Sequence, residues 1–138
     1  MKFTAPWAFL EPPEEGGVLT PVLAVFVRKR TGRKMRRQFI VDSGADISVA
    51  PRELCELAGL TWSAGVETQL RGISAREECV VAARMHDITV LVVEARKELL
   101  LPVCFAEDDA PLLLGREGFF DAFLVEFDKS RSITTFKY

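Results

Sequence analysis

The sequence predicts a mainly β protein, either a closed barrel or a sandwich, with one or two short helices. Short apolar or β-branched runs follow one another at close spacing along most of the 138 residues. Only two stretches have helical character, and a doubly wound fold would need a crossover helix between successive strands. The length suits one hydrophobic core, so we expect a single domain over residues 1–138 with its core at about 18–137.

The first strand pair is predicted around a strongly basic turn. The runs 18–27 and 38–41 flank the segment RKRTGRKMRR, which has Thr31 and Gly32 at its centre and is typical of a β-hairpin. This segment holds seven of the 18 basic residues, which an acidic partner or nucleic acid would explain. Because no aromatic residue is interleaved with the charges, the sequence favours a solvated hairpin turn instead.

A short helix is predicted directly after the next turn. Ser48 lies three residues ahead of Pro51, and proline is favoured at the first helical position. Gly59 is a natural residue for the carboxyl end of a helix. We therefore expect a helix near residues 52–58.

The second half of the chain contains six more runs of strand character and one further short helix. The predicted strands are 67–71, 78–84, 88–93, 99–105, 123–127 and 133–136. The first two are expected to pair across a glycine-bearing tip at 72–75, and the last two form a hairpin around DKSR. His86 is expected to be exposed near a strand end. The segment REGFFDAF, residues 116–123, fits a short helix.

Composition argues against several functions. The net charge of -2 gives no general attraction to nucleic acid or anionic lipid. The longest uncharged apolar run, residues 18–27, is too short to span a membrane, and the N-terminal segment makes a poor signal peptide. Cys55, Cys79 and Cys104 include no CxxC pair, so we expect free, mostly buried thiols and a reducing, cytoplasmic location.

The stretch FIVDSGADIS, residues 39–48, carries the main chemical signal. Asp42 ends an apolar run, and a buried carboxylate is costly unless it is paired, hydrogen-bonded or used. An aspartyl-phosphate phosphatase would need an acid where Gly44 stands. A hydrolase with Ser43 as its nucleophile would need a base, and His86 is the one histidine in the sequence. No nucleophile-elbow pattern surrounds Ser43. One histidine and scattered cysteines do not make a metal site, so no metal or other cofactor is expected.

The motif Asp42-Ser43-Gly44-Ala45 after a buried strand resembles the active-site motif of the retropepsin-like aspartic proteases. Two later elements follow in the order of that family. One is flap-like and comprises Leu70, Arg71, Gly72, Ile73 and Ser74. The other is a psi-loop element of Leu113, Leu114 and Gly115, followed by Arg116. The compact, single-motif chain is more similar to the bacterial proteins of this family than to the retroviral ones. The resemblance implies a closed barrel of the acid-protease type.

The same resemblance implies an aspartic endopeptidase acting on extended peptides or proteins. In such enzymes one carboxylate accepts a proton from the attacking water while the other, protonated, polarises the scissile carbonyl. Two carboxylates at contact distance cannot both ionise, and aspartic proteases are the standard example of this shared proton. Because the motif occurs once, the resemblance implies a homodimer in which each subunit contributes Asp42. The chain ends, especially 133–138, are the expected interface.

Several neighbours of Asp42 have expected supporting roles. Gly44 lets the backbone come close behind the carboxylate, and the Ser43 hydroxyl is expected to lock the turn or to reach the partner's loop. The resemblance implies a partly buried ion pair between Asp46 and Arg116 that braces the loop. A second possibility remains for the whole protein, because fold does not guarantee activity: a dimerisation or peptide-binding module with little or no proteolysis.

Overall fold

The computed structural model describes residues 1–71, 80–107 and 109–138, and most of them lie in strands. The strands are β1 Lys2–Pro6, β2 Ala8–Phe9, β3 Leu19–Thr20, β4 Val22–Arg28, β5 Lys34–Val41, β6 Ser48–Pro51, β7 Val66–Arg71, β8 Val80–Val92, β9 Lys97–Ala106, β10 Leu113–Leu114, β11 Leu124–Asp128 and β12 Ile133–Lys137. The helix α1 spans Arg52–Leu57, and short 3-10 turns occur at Pro13–Glu15, Trp62–Ala64 and Val93–Ala95. The predicted mainly β class is confirmed.

Six of these strands close into a barrel. Their order is β4-β5-β10-β6-β9-β8, and β8 returns to pair with β4. The two-residue strand β10 lies between β5 and β6, parallel to the first and antiparallel to the second. Closure leaves β7 as an extra strand beside β8. The fold is therefore a closed barrel, and the sandwich alternative is excluded.

The predicted basic hairpin is formed by β4 and β5. The two strands pair antiparallel from Val22 opposite Ile40 to Arg28 opposite Lys34, so β5 begins earlier than the sequence suggested. Gly32 lies in the turn with a φ of 86°, a conformation that favours glycine.

The strand β8 joins two runs that the sequence separates. The described parts of the predicted strands 78–84 and 88–93 lie in one continuous element, Val80–Val92, and His86 pairs with Val103 of β9 in its middle. The expectation of an exposed histidine near a strand end is wrong, because His86 is half-buried. The hairpin of β7 and β8 is present up to the pair of Arg71 and Val80, and its predicted tip at 72–75 lies outside the described residues.

Both predicted helices exist in part. The first is α1, but Pro51 ends β6 with an extended backbone and Ser48 is a buried residue of that strand rather than a residue of the helix start. The second is reduced to a single irregular turn over Arg116–Phe120. Its helical geometry fails at Glu117 and at Gly118, whose φ is 83°, so the predicted extent of 116–123 is wrong.

The two ends of the chain form a separate three-stranded sheet in the order β1-β12-β11. The hairpin of β11 and β12 was predicted, whereas β1 was not. The Phe3 ring stacks on Phe136 with centroids 4.8 Å apart, which ties the sheet to the core. The amino group of Met1 donates to the carbonyl oxygen of Tyr138 at 2.8 Å.

The described cysteines are free and buried, as expected. Burial raises the pKa of the Cys104 thiol to about 11, and burial first, then the neighbouring Glu56, raises the pKa of Cys55. Cys79 lies outside the described residues. Within the described ranges, no helix combines the length and the apolarity that crossing a membrane requires.

Candidate active site

Asp42 is the first residue after β5, and neighbouring strands hold its backbone. Its N–H donates to the carbonyl oxygen of Leu114 at 3.0 Å, which extends the pairing of β5 with β10 by one bond. One residue earlier, the N–H of Val41 donates to the carbonyl oxygen of Pro21 at 3.0 Å. The position of Asp42 is therefore set from both sides of β5.

The turn after Asp42 orients the carboxylate. The N–H of Gly44 donates to Oδ1 of Asp42 at 2.9 Å, and the N–H of Ala45 donates to the Asp42 carbonyl oxygen at 3.3 Å. A Cβ atom at Gly44 would lie 3.2 Å from the same Oδ1, closer than most real contacts. Asp42 is half-buried, and within the described residues its Oδ2 has no hydrogen-bond partner. One oxygen is thus fixed and the other is open to a ligand.

Arg116 braces this turn from the other side of the barrel mouth. Its N–H donates to the Ala45 carbonyl oxygen at 2.9 Å, and the next N–H, of Glu117, donates to the Asp46 carbonyl oxygen at 3.0 Å. Its guanidinium is ion-paired with the Asp46 carboxylate and donates to the Ser43 carbonyl oxygen at 3.4 Å. The pair is exposed in the single chain, by 54% at Arg116 and 88% at Asp46, in contrast with the partly buried pair expected.

Gly115 and Ser48 make a buried contact beside the loop. The Gly115 N–H donates to the Ser48 hydroxyl oxygen at 3.0 Å, and Ser48 is completely buried. A Cβ atom at Gly115 would lie 2.3 Å from the carbonyl carbon of Ile47, so only glycine fits there. Sequence reasoning missed this contact, although a lone serine within the apolar run of β6 is the signal that could have indicated it.

No protein-family model and no curated protein matches the sequence. Among solved structures, the chain is similar to a retropepsin-like aspartic protease from Rickettsia conorii, with 20% sequence identity and a TM-score of 0.57. The alignment covers 86% of this chain and 93% of that chain. This chain has the retropepsin-like fold. The resemblance stated from the sequence is confirmed at the level of the fold.

Within the retropepsin-like fold, the remaining candidate residues that the structure describes lie on two strands. Leu113 and Leu114 form β10, and Leu114 is completely buried. Leu70 and Arg71 end β7, where their backbones pair with β8. The other flap-like residues, Gly72, Ile73 and Ser74, lie outside the described ranges.

Of the two roles expected for the Ser43 hydroxyl, it does not lock the turn among the described residues, and reaching the partner's loop stays a prediction. Its side chain is exposed, and among the described residues its hydroxyl has no hydrogen-bond partner. The turn is held instead by main-chain bonds and by the Arg116 guanidinium, which contacts the Ser43 carbonyl oxygen. The hydroxyl is therefore free to contact another molecule.

Proposed function

We propose that this protein is an aspartic endopeptidase whose active site is completed by Asp42 from two copies of the chain. The observation that carries the proposal is the Asp42 turn, in which the backbone is fixed by β10 and one carboxylate oxygen is oriented by Gly44. Such fixed geometry is what acid–base chemistry on a bound peptide requires. The similarity of fold to an aspartic protease agrees with it.

The proposed chemistry needs no group beyond two carboxylates and water. In the dyad, the ionised Asp42 accepts a proton from water as its oxygen attacks the scissile carbonyl carbon. The protonated Asp42 of the other copy donates a hydrogen bond to the carbonyl oxygen. One proton per pair is therefore essential, and activity is expected to be highest at acidic to mildly acidic pH and to fall as both carboxylates ionise.

A second copy is needed because the chain carries the Asp-Ser-Gly motif once. The expected interface at 133–138 fits poorly, since β12 already pairs with β1 on one side and β11 on the other. The arm formed by β2 and β3 offers another surface near Asp42, because Pro21, just after β3, accepts the N–H of Val41. Four apolar side chains of the arm are 39–71% exposed: Phe9, Leu10, Val18 and Leu19. We infer that this arm contributes to the dimer interface.

The hairpin of β7 and β8 is the proposed cover of the substrate. Leu70 and Arg71 lead into the segment that includes Gly72, Ile73 and Ser74, for which we retain the flap role. An extended peptide bound beneath it would pair through backbone N–H and C=O groups like an added strand. Exclusion of bulk water by such a cover favours hydrolysis only at the held water molecule.

The test compares wild type with Asp42→Asn on a peptide library from acidic to neutral pH. The amide keeps the shape of the side chain and loses the base, so we expect cleavage to fall by at least about 10³-fold while the fold and dimer persist. Glu94→Gln, which changes an exposed carboxylate on the turn between β8 and β9, is the matched control and should cleave normally.

Two outcomes would contradict the proposal. Equal cleavage by wild type and Asp42→Asn would place the chemistry elsewhere. A folded wild-type dimer that binds peptides and cleaves none of them would instead establish the peptide-binding module. Sedimentation over the micromolar range measures the dimer independently of activity.

A further inference from the structure

A cavity of about 560 Å³ opens at the end of the barrel remote from Asp42. Its walls come from the end of β4 and its turn, from the residues after α1, and from the middle of β8. The pairing of β4 with β5 places Val22 near Asp42 and Arg28 at the far end, six residues along the strand. At the rise of a β-strand, this separates the cavity from Asp42 by roughly 20 Å.

The mouth of the cavity is lined by basic residues. Arg28, Lys29 and Arg30 all line it, and Arg28 is ion-paired with Glu98. In the part of the chain that the structure describes, Lys29 and Arg30 have no carboxylate partner. The same is true of four more cations on this hairpin: Arg33, Lys34, Arg36 and Arg37. Since the whole chain has a net charge of -2, this end is a local positive region on an otherwise acidic protein.

The cationic rim is fixed in place by the end of α1. The Arg30 N–H donates to the Ala58 carbonyl oxygen at 3.0 Å. The Arg30 side chain lies against Gly59, where an added Cβ would come within 2.5 Å of the Arg30 Cβ. Gly59 has a φ of 80°, which favours glycine at this contact. The turn and the helix end therefore form one built surface around the cavity.

The interior of the cavity is mixed in character. Ala58, Leu60 and Ile88 supply apolar surface, and Thr61 supplies a hydroxyl. Asp87, which is exposed on the wall, can accept a hydrogen bond from a peptide N–H. Volume and lining fall in the range of sites that enclose a side chain or a small ligand.

These features favour an acidic polypeptide over nucleic acid. The hairpin segment 28–37 has no aromatic residue on which a base could stack. A phosphodiester backbone would gain nothing from the apolar surface of the interior. In a peptide with glutamates or aspartates beside an apolar residue, the carboxylates can pair with the basic rim and the apolar side chain can enter the interior.

We propose that the cavity and its basic rim bind an acidic polypeptide segment that carries an apolar side chain, and that this is an exosite for protein substrates. The substrate part of this inference rests on the proposed endopeptidase function. A segment bound there is not itself at Asp42. The scissile bond must follow or precede it by at least about six extended residues, the number needed to span the distance.

Binding is tested without cleavage, in the Asp42→Asn background. The probe is a fluorescein-labelled peptide EELFEE, with QQLFQQ as its uncharged counterpart, followed by fluorescence anisotropy at two salt concentrations. Lys29→Glu with Arg30→Glu should weaken binding of EELFEE at least about tenfold. Arg33→Glu with Arg36→Glu makes the same change of charge on exposed residues outside the cavity and should weaken it less than about threefold.

A second variant tests the cavity apart from charge. Thr61→Trp fills the mouth from an exposed position and should also reduce binding at least about tenfold. Equal losses from both charge reversals, or no loss from Thr61→Trp, would overturn the site. Tighter binding of single-stranded or duplex DNA than of EELFEE would show a general polyanion surface instead.

The substrate role has its own measurement. A cleavable peptide joined to EELFEE through a flexible linker should have a KM about tenfold lower than the peptide alone for wild type. The Lys29→Glu, Arg30→Glu variant should cleave both with the KM of the peptide alone. Binding of EELFEE without any cleavage would contradict the endopeptidase function but not the binding site. Cleavage with the same KM for both peptides would contradict the exosite but not the endopeptidase function.

Discussion

The two ends of the barrel are built by different means, although the same β4–β5 hairpin runs through both. At the Asp42 end, hydrogen bonds of 2.9–3.0 Å fix the turn: the N–H groups of Gly44 and Arg116 donate to it, and the Leu114 carbonyl oxygen accepts from the Asp42 N–H. At the other end, cations such as Lys29 and Arg30 surround a cavity without carboxylate partners among the described residues. The Asp42 end therefore holds a side chain in a fixed position, whereas the other end presents positive charge around a cavity.

This difference has physical consequences that can be measured separately. Short, directional hydrogen bonds lose their strength steeply when atoms shift, so the Asp42 end should be sensitive to small steric changes. Exposed charges are screened by salt within about 8–10 Å, so the basic end should be sensitive to ionic strength instead. Substitutions matched across the two ends can test the contrast.

The largest effect is expected from adding one methyl group at each end. Gly115→Ala places a Cβ 2.3 Å from the Ile47 carbonyl carbon, with backbone on the opposing side, and should lower the free energy of unfolding by about 3 kcal/mol. In Gly32→Ala the added Cβ has no atom within 4 Å, so only the positive φ is unfavourable for alanine. This should lower the free energy of unfolding by about 1 kcal/mol. Chemical denaturation measures both, and equal losses would mean that the Asp42 end is not tightly constrained.

An intermediate effect is expected from removing one arginine at each end. Arg116→Ala and Arg28→Ala each break an exposed ion pair, so each should cost less than about 1 kcal/mol of stability. Arg116→Ala also removes the donor to the Ser43 carbonyl oxygen and should lower kcat/KM on a short peptide at least about tenfold. Arg28→Ala should leave kcat/KM on the short peptide unchanged. Equal activity of both variants would argue against a bracing role.

The smallest effect is expected from Asp128, which makes the stability of the fold depend on pH independently of the proposed Asp42 dyad. Hydrogen bonds from Ser130 and then Arg131 lower the pKa of Asp128 to about 2. Because the folded pKa lies below the unfolded value of about 4, this carboxylate stabilises the turn above pH 4 and loses that contribution as pH falls toward 2.

Asp128→Asn should therefore lower the melting temperature at pH 7 and at pH 5, and have a much smaller effect near pH 2. Thermal melts across this range measure the change, with Glu94→Gln as the control. A difference as large at pH 2 as at pH 7 would contradict the assignment. At the mildly acidic pH proposed for catalysis, this turn remains intact.

Local patterns made the hairpins predictable. The β4–β5 and β11–β12 pairs follow from apolar runs on either side of short turns, and Gly59 marks the end of α1. The two-residue strand β10 was identified by resemblance alone, because its pairing with β5 joins residues far apart in sequence. No local propensity encodes such a contact.

The errors have equally specific causes. The helix begins at Arg52 as predicted, but Pro51 is not its first residue, because pairing of β6 with β9 keeps Ser48–Pro51 extended. His86 and Asp87 suggested a strand end, but β9 pairs with β8 straight through them. In both cases tertiary pairing overrode a local signal.

The candidate site was only half visible in the sequence. Asp42, Asp46 and Arg116 were named by resemblance, whereas the main-chain brace through Ala45 and the buried Ser48 contact depend on three-dimensional packing. The basic turn was interpreted as solvated because no aromatic residue is interleaved with its charges. The cavity beside it was missed because its walls come from three distant segments. The sequence shows the positive charge of this turn, but the cavity beside it is visible only in the folded structure.

The pairing of β1 with β12 also bears on the order of folding. Their register runs from Lys2 opposite Lys137 to Pro6 opposite Ile133, which closes almost the whole chain into a ring. Closing a loop of that length costs about 4 kcal/mol of chain entropy before any contact compensates for it. The barrel hairpins, whose partners are close in sequence, can form without that cost. The ends are therefore expected to join after the barrel has formed, and to separate before it opens.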